Sequence, residues 1–221
     1  MDLKVSSLAL PGIEKYLEAN IDQRKSLFKK AEKLAKDLKA PIVGPLVGNF
    51  LGVICSIISA KKVLELGSSI GYSALWFADS VGEGGKVIYT DLDPENAKLA
   101  RTLATEANLH ERIEYHVGDA LAYLDQTEEQ FDIIFIDLEK SLYIKALEKS
   151  LNKLRTGGLL IADNTLWAGR VRWDGIDENT ETIKKYNAIV SCHPLLQTSI
   201  IPLRDGITIS YKKRDNHESN S

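Results

Sequence analysis

From Lys61 onward, short apolar runs alternate with helical segments, and this alternation restricts the possible folds more than any other feature of the chain. The apolar runs predict five strands, over Val63–Leu66, Lys86–Thr90, Arg112–His116, Phe131–Ile136 and Leu159–Ala162. The segments between them predict helices that begin near Gly71, Pro94, Asp119 and Ser141. Regular alternation of strand and helix is typical of a parallel sheet with right-handed crossovers. We therefore predict an α/β fold with helices on both faces of the sheet.

The N-terminal part of the chain is predicted to be helical. Apolar residues at helical spacing, with lysines and acids on the other face, indicate a helix over Asp22–Leu38. Gly44-Pro45 interrupts the pattern, and a second helix is predicted over Val47–Ile58.

The C-terminal part predicts a hairpin. A long loop, Thr165–Glu178, follows the fifth strand and leads into a helix that ends near Ser191. The last two apolar runs, Thr198–Leu203 and Ile207–Lys212, flank a turn that contains Asp-Gly. Such a pair forms a β-hairpin, so one edge of the sheet is expected to be antiparallel. We predict a single domain over 1–221, with N-terminal helices in 1–60, a core in 61–212 and a disordered polar tail in 213–221.

Length and composition restrict the kinds of protein that this chain can be. The 221 residues suffice for one domain with a sizeable core, and a net charge of -3 argues weakly against a dedicated nucleic-acid binder. Cys55 and Cys192 lie in apolar helical segments and are expected to be buried free thiols. There is no secretory signature and no run of about 18 apolar residues, so we expect a cytoplasmic protein that does not associate with membranes.

Two of the predicted strands end on acids. Phe131–Ile136 stops at Asp137, Leu159–Ala162 stops at Asp163-Asn164, and Lys140 follows three residues after the first acid. In open α/β sheets the carboxyl ends of the strands line the ligand crevice. Two carboxylates and an amide there suit a divalent cation, beside an amine that could help to ionise a hydroxyl group. The alternative is that Asp-Asn is only a turn pair and Lys140 only a solvated lysine.

A second group of residues suggests an adenosine-bearing ligand. The first strand runs into a turn with Gly67 and Gly71, whose spacing does not match the dinucleotide fingerprint G-x-G-x-x-G. Glu65, inside that strand, could hold the amino group of a ligand. Asp91 ends the second strand, where an acid can bind both hydroxyls of a ribose. The segment around Asp119, after the third strand, would lie along the adenine.

The motif Glu65-Leu-Gly-x-x-x-Gly-Tyr-Ser73 resembles the first motif of class I S-adenosylmethionine methyltransferases. The stretch from Pro41 to Lys212 resembles the cation-dependent O-methyltransferases related to catechol and caffeoyl-CoA O-methyltransferases. The most specific match is Asp163-Asn-Thr-Leu-Trp167. Further matches are Asp91-Leu-Asp-Pro94, Lys140-x-x-Tyr143, Gly157-Gly158 and Ile201-Pro-Leu-Arg-Asp-Gly206.

The resemblance implies a Rossmann-like, seven-stranded, mostly parallel sheet with one antiparallel edge strand, and extra N-terminal helices. It also implies residue roles. The S-adenosylmethionine contacts would be Val43, Glu65, Gly67, Ser68, Ser73, Asp91, Asp119, Ala120 and Asp137. Asp137, Asp163 and Asn164 would hold the metal, most simply Mg²⁺, with Ca²⁺ or Mn²⁺ as alternatives. Lys140 would be the catalytic base, with Asp137 as the second catalytic residue, and the protein would be a homodimer.

Two departures from the family pattern lie beside the catalytic lysine. The family usually has Asp-Ala-Asp-Lys where this chain has Asp137-Leu-Glu-Lys140, and Lys-Asp-Asn-Tyr where it has Lys140-Ser-Leu-Tyr143. A carboxylate next to the lysine would favour the charged amine, so Glu139 is expected to face away from it.

The predicted reaction is methyl transfer to a hydroxyl of a small catechol-like or phenolic acceptor. Trp167 and Trp173 could be walls for a flat aromatic acceptor, or simply packing residues. One alternative keeps the donor and metal site and methylates a hydroxylated uridine in tRNA. A third hypothesis is a nucleotide-binding oxidoreductase or a non-catalytic adenosine sensor. The glycine spacing and the acids after the fourth and fifth strands count against it.

Overall fold

A computed structural model describes residues 12–21 and 26–214 of the chain. They form a seven-stranded sheet in the order β3-β2-β1-β4-β5-β7-β6. The strands are β1 (Lys62–Leu66), β2 (Lys86–Asp91), β3 (Ile113–Val117), β4 (Phe131–Ile136), β5 (Leu154–Ala162), β6 (Leu196–Ile201) and β7 (Ile207–Lys212). The helices are α1 (Ile13–Ala19), α2 (Ser26–Leu38), α3 (Gly44–Ile57), α4 (Tyr72–Ser80), α5 (Pro94–Glu106), α6 (Ala120–Gln126), α7 (Tyr143–Lys153) and α8 (Glu178–Cys192). Short 3₁₀ turns cover His110–Arg112, Lys140–Leu142 and Trp167–Arg172.

The five strands predicted from Lys61 onward are confirmed, and they are parallel to one another. Their apolar runs reflect burial on both faces, as in β4, where five of the six residues are buried. β5 begins earlier than predicted, at Leu154, because the chain pairs with β4 from the end of α7 onward.

Helices cover both faces of the sheet, as predicted. On one face, α2 to α5 contribute side chains to the core, among them Phe28, Val47, Leu51, Phe77 and Leu103. On the other face the core comes from α6 to α8 and includes Leu121, Leu124, Tyr143, Leu147 and Tyr186. Because the sheet is enclosed on both sides, ligands can reach it only at the strand ends.

The C-terminal hairpin is also confirmed. β7 runs antiparallel to both β5 and β6, so the reversed strand lies one position in from the edge and β6 forms the edge itself. The first residues of the predicted Asp22–Leu38 helix, and all of the tail after Arg214, lie outside the described residues.

The cysteines correct one expectation. Cys55 is fully buried in α3, as predicted, but Cys192 is exposed. Cys192 is the last residue of α8, and apolar neighbours in sequence do not bury a side chain on the outer side of a final helical turn. Among the described residues, no helix is long and apolar enough to cross a membrane.

Candidate active site

The register of the sheet brings the predicted acids to one edge. Ile136 of β4 pairs with Leu66 of β1 and with Ala162 of β5, so these three strands end level with one another. The next residue along β4, Asp137, donates its N–H to Leu66 O at 2.9 Å. Asp163 donates its N–H to Ile136 O at 3.1 Å. The two acids therefore follow neighbouring strands at the carboxyl end of the sheet.

The two acids differ in exposure. Asp163 is buried, whereas 28% of the Asp137 side chain is exposed. Burial raises the pKa of Asp163, and the charge of Asp137 raises it further. Burial also raises the pKa of Asp137, although Lys140 opposes the rise. Two carboxylates that each disfavour the other's ionisation are the arrangement that a bound cation stabilises.

Asn164 completes the predicted ligand set. Its backbone is left-handed, with φ 54°, a conformation that asparagine tolerates better than most residues. Its N–H donates to Asp163 Oδ1 at 2.7 Å, which fixes the carboxylate relative to the next residue. The set has two carboxylates and one amide oxygen, all hard ligands suited to Mg²⁺ or Ca²⁺. No group of three His, Cys, Asp or Glu side chains that could hold a metal occurs within 12–21 and 26–214.

Lys140 lies in the centre of this group. Its Nζ donates to Asn164 Oδ1 at 2.7 Å, to the Tyr143 hydroxyl at 2.8 Å and to Leu138 O at 3.1 Å. It lies 3.8 Å from Asp137 Oδ1. Burial lowers the pKa of Lys140, and the charges of three nearby acids oppose that effect. Since an ammonium has three N–H donors, these contacts engage all of them. Glu139 is exposed and lines the cleft beside this group.

Tyr143 was quoted in the sequence motif, but it had no predicted role. It is fully buried, and its hydroxyl accepts from Lys140 and donates to Asp163 O at 3.0 Å. The hydroxyl thus connects the lysine of one strand end to the backbone of the acid on the next. The spacing Lys140-x-x-Tyr143 is the signal: Lys140 begins a 3₁₀ turn and Tyr143 begins α7, so both point inward.

A cleft of about 290 Å³ adjoins the acids. Its walls include five of the predicted donor contacts, namely Gly67, Asp91, Asp119, Ala120 and Asp137. Sequence reasoning did not identify the apolar walls of this cleft, which are Leu92, Leu138 and Leu142. Leu92 is 76% exposed, and its position directly after the acid that ends the second strand was the available signal in the sequence.

Glu65 is fully buried behind the glycine turn. One carboxylate oxygen, Oε1, accepts from the Ser73 hydroxyl, while Oε2 has no hydrogen-bond partner among the described residues. Burial raises the pKa of Glu65 to about 7. An unpartnered buried carboxylate oxygen is costly, and a ligand ammonium would satisfy it. Ser68 is buried beside it, with its hydroxyl accepting from Thr90 N at 3.2 Å.

Asp91 and Asp119 also have structural partners. Asp91 accepts N–H groups from Ser69 at 2.9 Å, from Asp93 at 2.8 Å and from the Asn96 side chain at 3.1 Å, which closes the loops at its strand end. Asp119 is the N-cap of α6 and accepts from Leu121 N at 2.8 Å. A carboxylate has about four acceptor positions, so both acids retain capacity for a ligand.

Gly67 lies where the turn after β1 meets the residue that follows β4. Its φ is 88°, and a Cβ at this position would collide with the carbonyl oxygen of Asp137. Only glycine allows the turn after β1 to approach the end of β4 this closely. Val43 lies farther away, at the start of α3, where its carbonyl accepts from the Arg204 guanidinium.

The two tryptophans lie in different places. The Trp167 ring centroid is 5.4 Å from Lys140 Nζ, so this residue lies beside the lysine that contacts Asn164. Trp173 is 53% exposed, and the Arg172 guanidinium lies over its ring at 4.6 Å. The structure thus brings Trp167 to the predicted site. It leaves Trp173 on the outer part of the loop.

The chain was compared with known proteins. A family model described as O-methyltransferase matches residues 18–213. A caffeoyl-CoA O-methyltransferase from Populus trichocarpa is 32% identical over 172 residues, covering 72% of this chain and 70% of the relative. A catechol O-methyltransferase from Niastella koreensis is 31% identical over 162 residues, covering 69% and 72%. An O-methyltransferase from Bacillus cereus, solved in complex with SAH, superposes with a TM-score of 0.83 at 27% identity, covering 91% of this chain and 97% of the other.

Proposed function

Because the chain belongs to the O-methyltransferase family and is an S-adenosylmethionine-dependent enzyme, we propose that it methylates a hydroxyl of a small catechol-like acceptor with the help of a divalent cation. One observation supports the cation most directly. Asp137 and Asp163 follow adjacent strands, and both have pKa values raised by burial. Such a pair is more stable with a cation bound than without one. We propose Asp137, Asp163 and Asn164 as its ligands, with Mg²⁺ as the simplest candidate.

The residues on the donor side are proposed to hold S-adenosylmethionine by both of its ends. Glu65 Oε2, which is buried and unpartnered, would accept from the amino group. Asp91, at the far end of the cleft, would accept from the ribose hydroxyls, and the exposed Leu92 would contact the adenine. These contacts would direct the sulfonium methyl group toward the acids after β4 and β5, as an in-line displacement requires.

On the acceptor side, the bound cation would supply chelation of two vicinal hydroxyls and would lower the pKa of the one that reacts. We propose Lys140 as the group that receives its proton. Lys140 is buried beside the acids, and burial lowers its pKa. As placed, its three contacts are those of an ammonium, so the base role requires it to release one of them. Trp167 would pack against the acceptor ring.

The choice of acceptor rests on the relatives, which are named for caffeoyl-CoA and catechol. Both names denote acceptors with a dihydroxyphenyl ring, so the tRNA alternative is not favoured. A homodimer, a cytoplasmic location and the proposed domain limits stay predictions.

The metal is tested by methylation of a dihydroxyphenyl acceptor with and without EDTA. We expect EDTA to abolish turnover and added Mg²⁺ to restore it. Asp163→Asn, which keeps the size and removes the charge, should lower kcat/KM by about a hundredfold or more. Donor binding, measured by calorimetry, should stay within about twofold because the donor contacts lie on other strands.

Asp125→Asn is the matched control, because Asp125 is an exposed acid paired with Lys149. It should retain full activity. Turnover that persists undiminished in EDTA would contradict the metal role. Loss of donor binding in Asp163→Asn, or its unfolding, would indicate that this acid is structural.

A further inference from the structure

Arg204 occupies a strained position at the edge of the proposed site. It opens the Arg204-Asp205-Gly206 turn between β6 and β7, and its φ is 49°, in the left-handed region that disfavours residues with a Cβ. Asn164, Trp167 and Ala168 also have left-handed backbones. Strain of this kind often concentrates at functional sites, where the fold holds a side chain in a required place.

The turn is attached to the segment that follows the metal acids. Thr165 N donates to Gly206 O at 3.0 Å, and Leu166 N donates to Asp205 O at 2.9 Å. Ala168 N donates to the Asp205 carboxylate. The backbone of Arg204 is therefore fixed relative to the proposed acceptor side.

The Arg204 side chain reaches across to the donor side. Its Nη1 donates to Val43 O and, at 3.3 Å, to Ile42 O. The guanidinium also fills the space that a side chain at Gly44 would occupy. Arg204 thus spans the gap between the loop after β5 and the start of α3, which holds a predicted donor contact.

Part of the Arg204 guanidinium is available to bind a ligand. Nε and Nη2 have no acceptor, and no carboxylate forms an ion pair with Arg204, anywhere within 12–21 and 26–214. Arg204 is only half-buried, so a ligand can still reach these donors.

We propose that Arg204 is a carboxylate receptor between the donor and acceptor positions, an inference that rests on the proposed function. A guanidinium whose Nε–Nη2 edge is unused binds a carboxylate by paired hydrogen bonds. Two molecules can present that group here: the methionine end of the donor, or an acceptor with an acidic substituent on its ring. The second source would make the enzyme selective for anionic catechols.

Arg204→Gly tests the proposal without disturbing the turn, because glycine adopts this φ readily. The matched control is Lys39→Gly, an exposed residue with φ 55° after α2, which relieves similar strain far from the site. Both variants should unfold at or above the wild-type temperature. Arg204→Lys, which keeps the charge and the Cβ, is a second variant.

Two ratios are measured for each variant. Calorimetry compares binding of S-adenosylmethionine with binding of its decarboxylated analogue. Kinetics compares KM for 3,4-dihydroxybenzoate with KM for catechol. In Arg204→Gly we expect one carboxylate-bearing ligand to weaken by about tenfold to a hundredfold, and its uncharged counterpart to change by less than about twofold.

A change in the ratio of the two donor affinities assigns the carboxylate to the donor. A change in the ratio of the two KM values assigns it to the acceptor. If neither ratio changes, or if Arg204→Gly only loses stability relative to Lys39→Gly, the proposal is wrong. Wild-type turnover of catechol separates this failure from failure of the proposed function. If the wild-type enzyme methylates catechol and Arg204→Gly changes neither ratio, the proposed function stands and the carboxylate receptor is refuted.

Discussion

At the scale of single residues, Glu65 shows a conflict between burial and charge that the proposed donor would relieve. Its side chain is fully buried, and one oxygen is unpartnered among the described residues. Burial raises the pKa of Glu65 from an ordinary 4.5 to about 7. A rise of this size corresponds to roughly 3 kcal/mol between its protonation states. The folded protein without donor therefore binds a proton here that the unfolded chain releases. The contribution of Glu65 to stability falls as pH rises from about 4.5 to about 7.

Donor binding should show the opposite trend. A ligand ammonium requires the ionised carboxylate, so affinity for S-adenosylmethionine should increase as pH rises through about 7. Glu65→Gln should lower the affinity at pH 8 by about tenfold or more and flatten this pH dependence. Calorimetric titration across pH measures both effects. An unchanged pH dependence in the variant would show that Glu65 does not bind the amino group.

The proposed role of Lys140 as a base depends on the hydrogen bonds that its ammonium group makes. All three N–H donors of an ammonium are engaged, and a base must instead present a lone pair to the acceptor. The sequence predicted a lysine near the acids. Its bonds to Tyr143 and Asn164 depend on how α7 and the end of β5 are placed, which the sequence pattern does not specify.

Lys140→Met should therefore separate a base from a positioning cation. If Lys140 is the base, kcat should fall by about a hundredfold or more, and the acidic limb of the wild-type pH–rate profile should disappear. Lys145→Met, an exposed lysine on α7, is the matched control and should behave like the wild type. If the acidic limb persists in Lys140→Met while the rate falls, the lysine acts by positioning Asn164.

At the scale of elements, the sequence correctly predicted those features that depend only on neighbouring residues, such as helix starts and tight turns. A helix was predicted to begin near Pro94, and α5 does begin there, capped by Asp93, which accepts from Glu95 N at 2.9 Å. Asp-Gly predicted the hairpin, and Gly206 has φ 88°. For the loop after β5, the sequence predicted the two ends and not the path between them. Its course depends on hydrogen bonds to the hairpin turn, about forty residues away in the chain, as between Thr165 and Gly206.

Gly206→Ala tests how far the hairpin turn supports the site. A Cβ at this position would lie 2.6 Å from the backbone nitrogen of Leu166, so the loop after Asn164 must shift. We expect a loss of about 2–4 kcal/mol in the free energy of unfolding, from backbone strain and overpacking together. Activity should fall as well, since Asn164 lies in the displaced segment. Urea unfolding and methylation assays measure the two effects.

Gly84→Ala is the matched control for this prediction. Gly84 also has positive φ, 71°, but a Cβ there would meet nothing within 4 Å. It should lose only about 1–2 kcal/mol, from backbone strain, and keep full activity. Equal losses in the two variants would show that the contact with Leu166 does not matter.

At the scale of the whole molecule, strand order creates the site. β1 and β4 are neighbours, although β2 and β3 lie between them in sequence. At this reversal of strand order the helices on either side diverge and leave a crevice at the carboxyl ends. The turn at Gly67 and the acid Asp137 meet there. The residues proposed to bind the donor and those proposed to bind the metal thus come together because β1 pairs with β4.

The sequence by itself determined the identity of the strands, the acids at their ends and the helix caps, because each depends on residues within a few positions of one another. It supported the α/β class for the same reason. Tertiary structure alone decided the order of the strands, the burial of Glu65 beside Ser73, the exposure of Cys192 and the reach of Arg204 to Val43. These features arise from contacts between residues that are distant in the chain. Packing over the whole sheet selects among arrangements that local periodicity leaves equally possible.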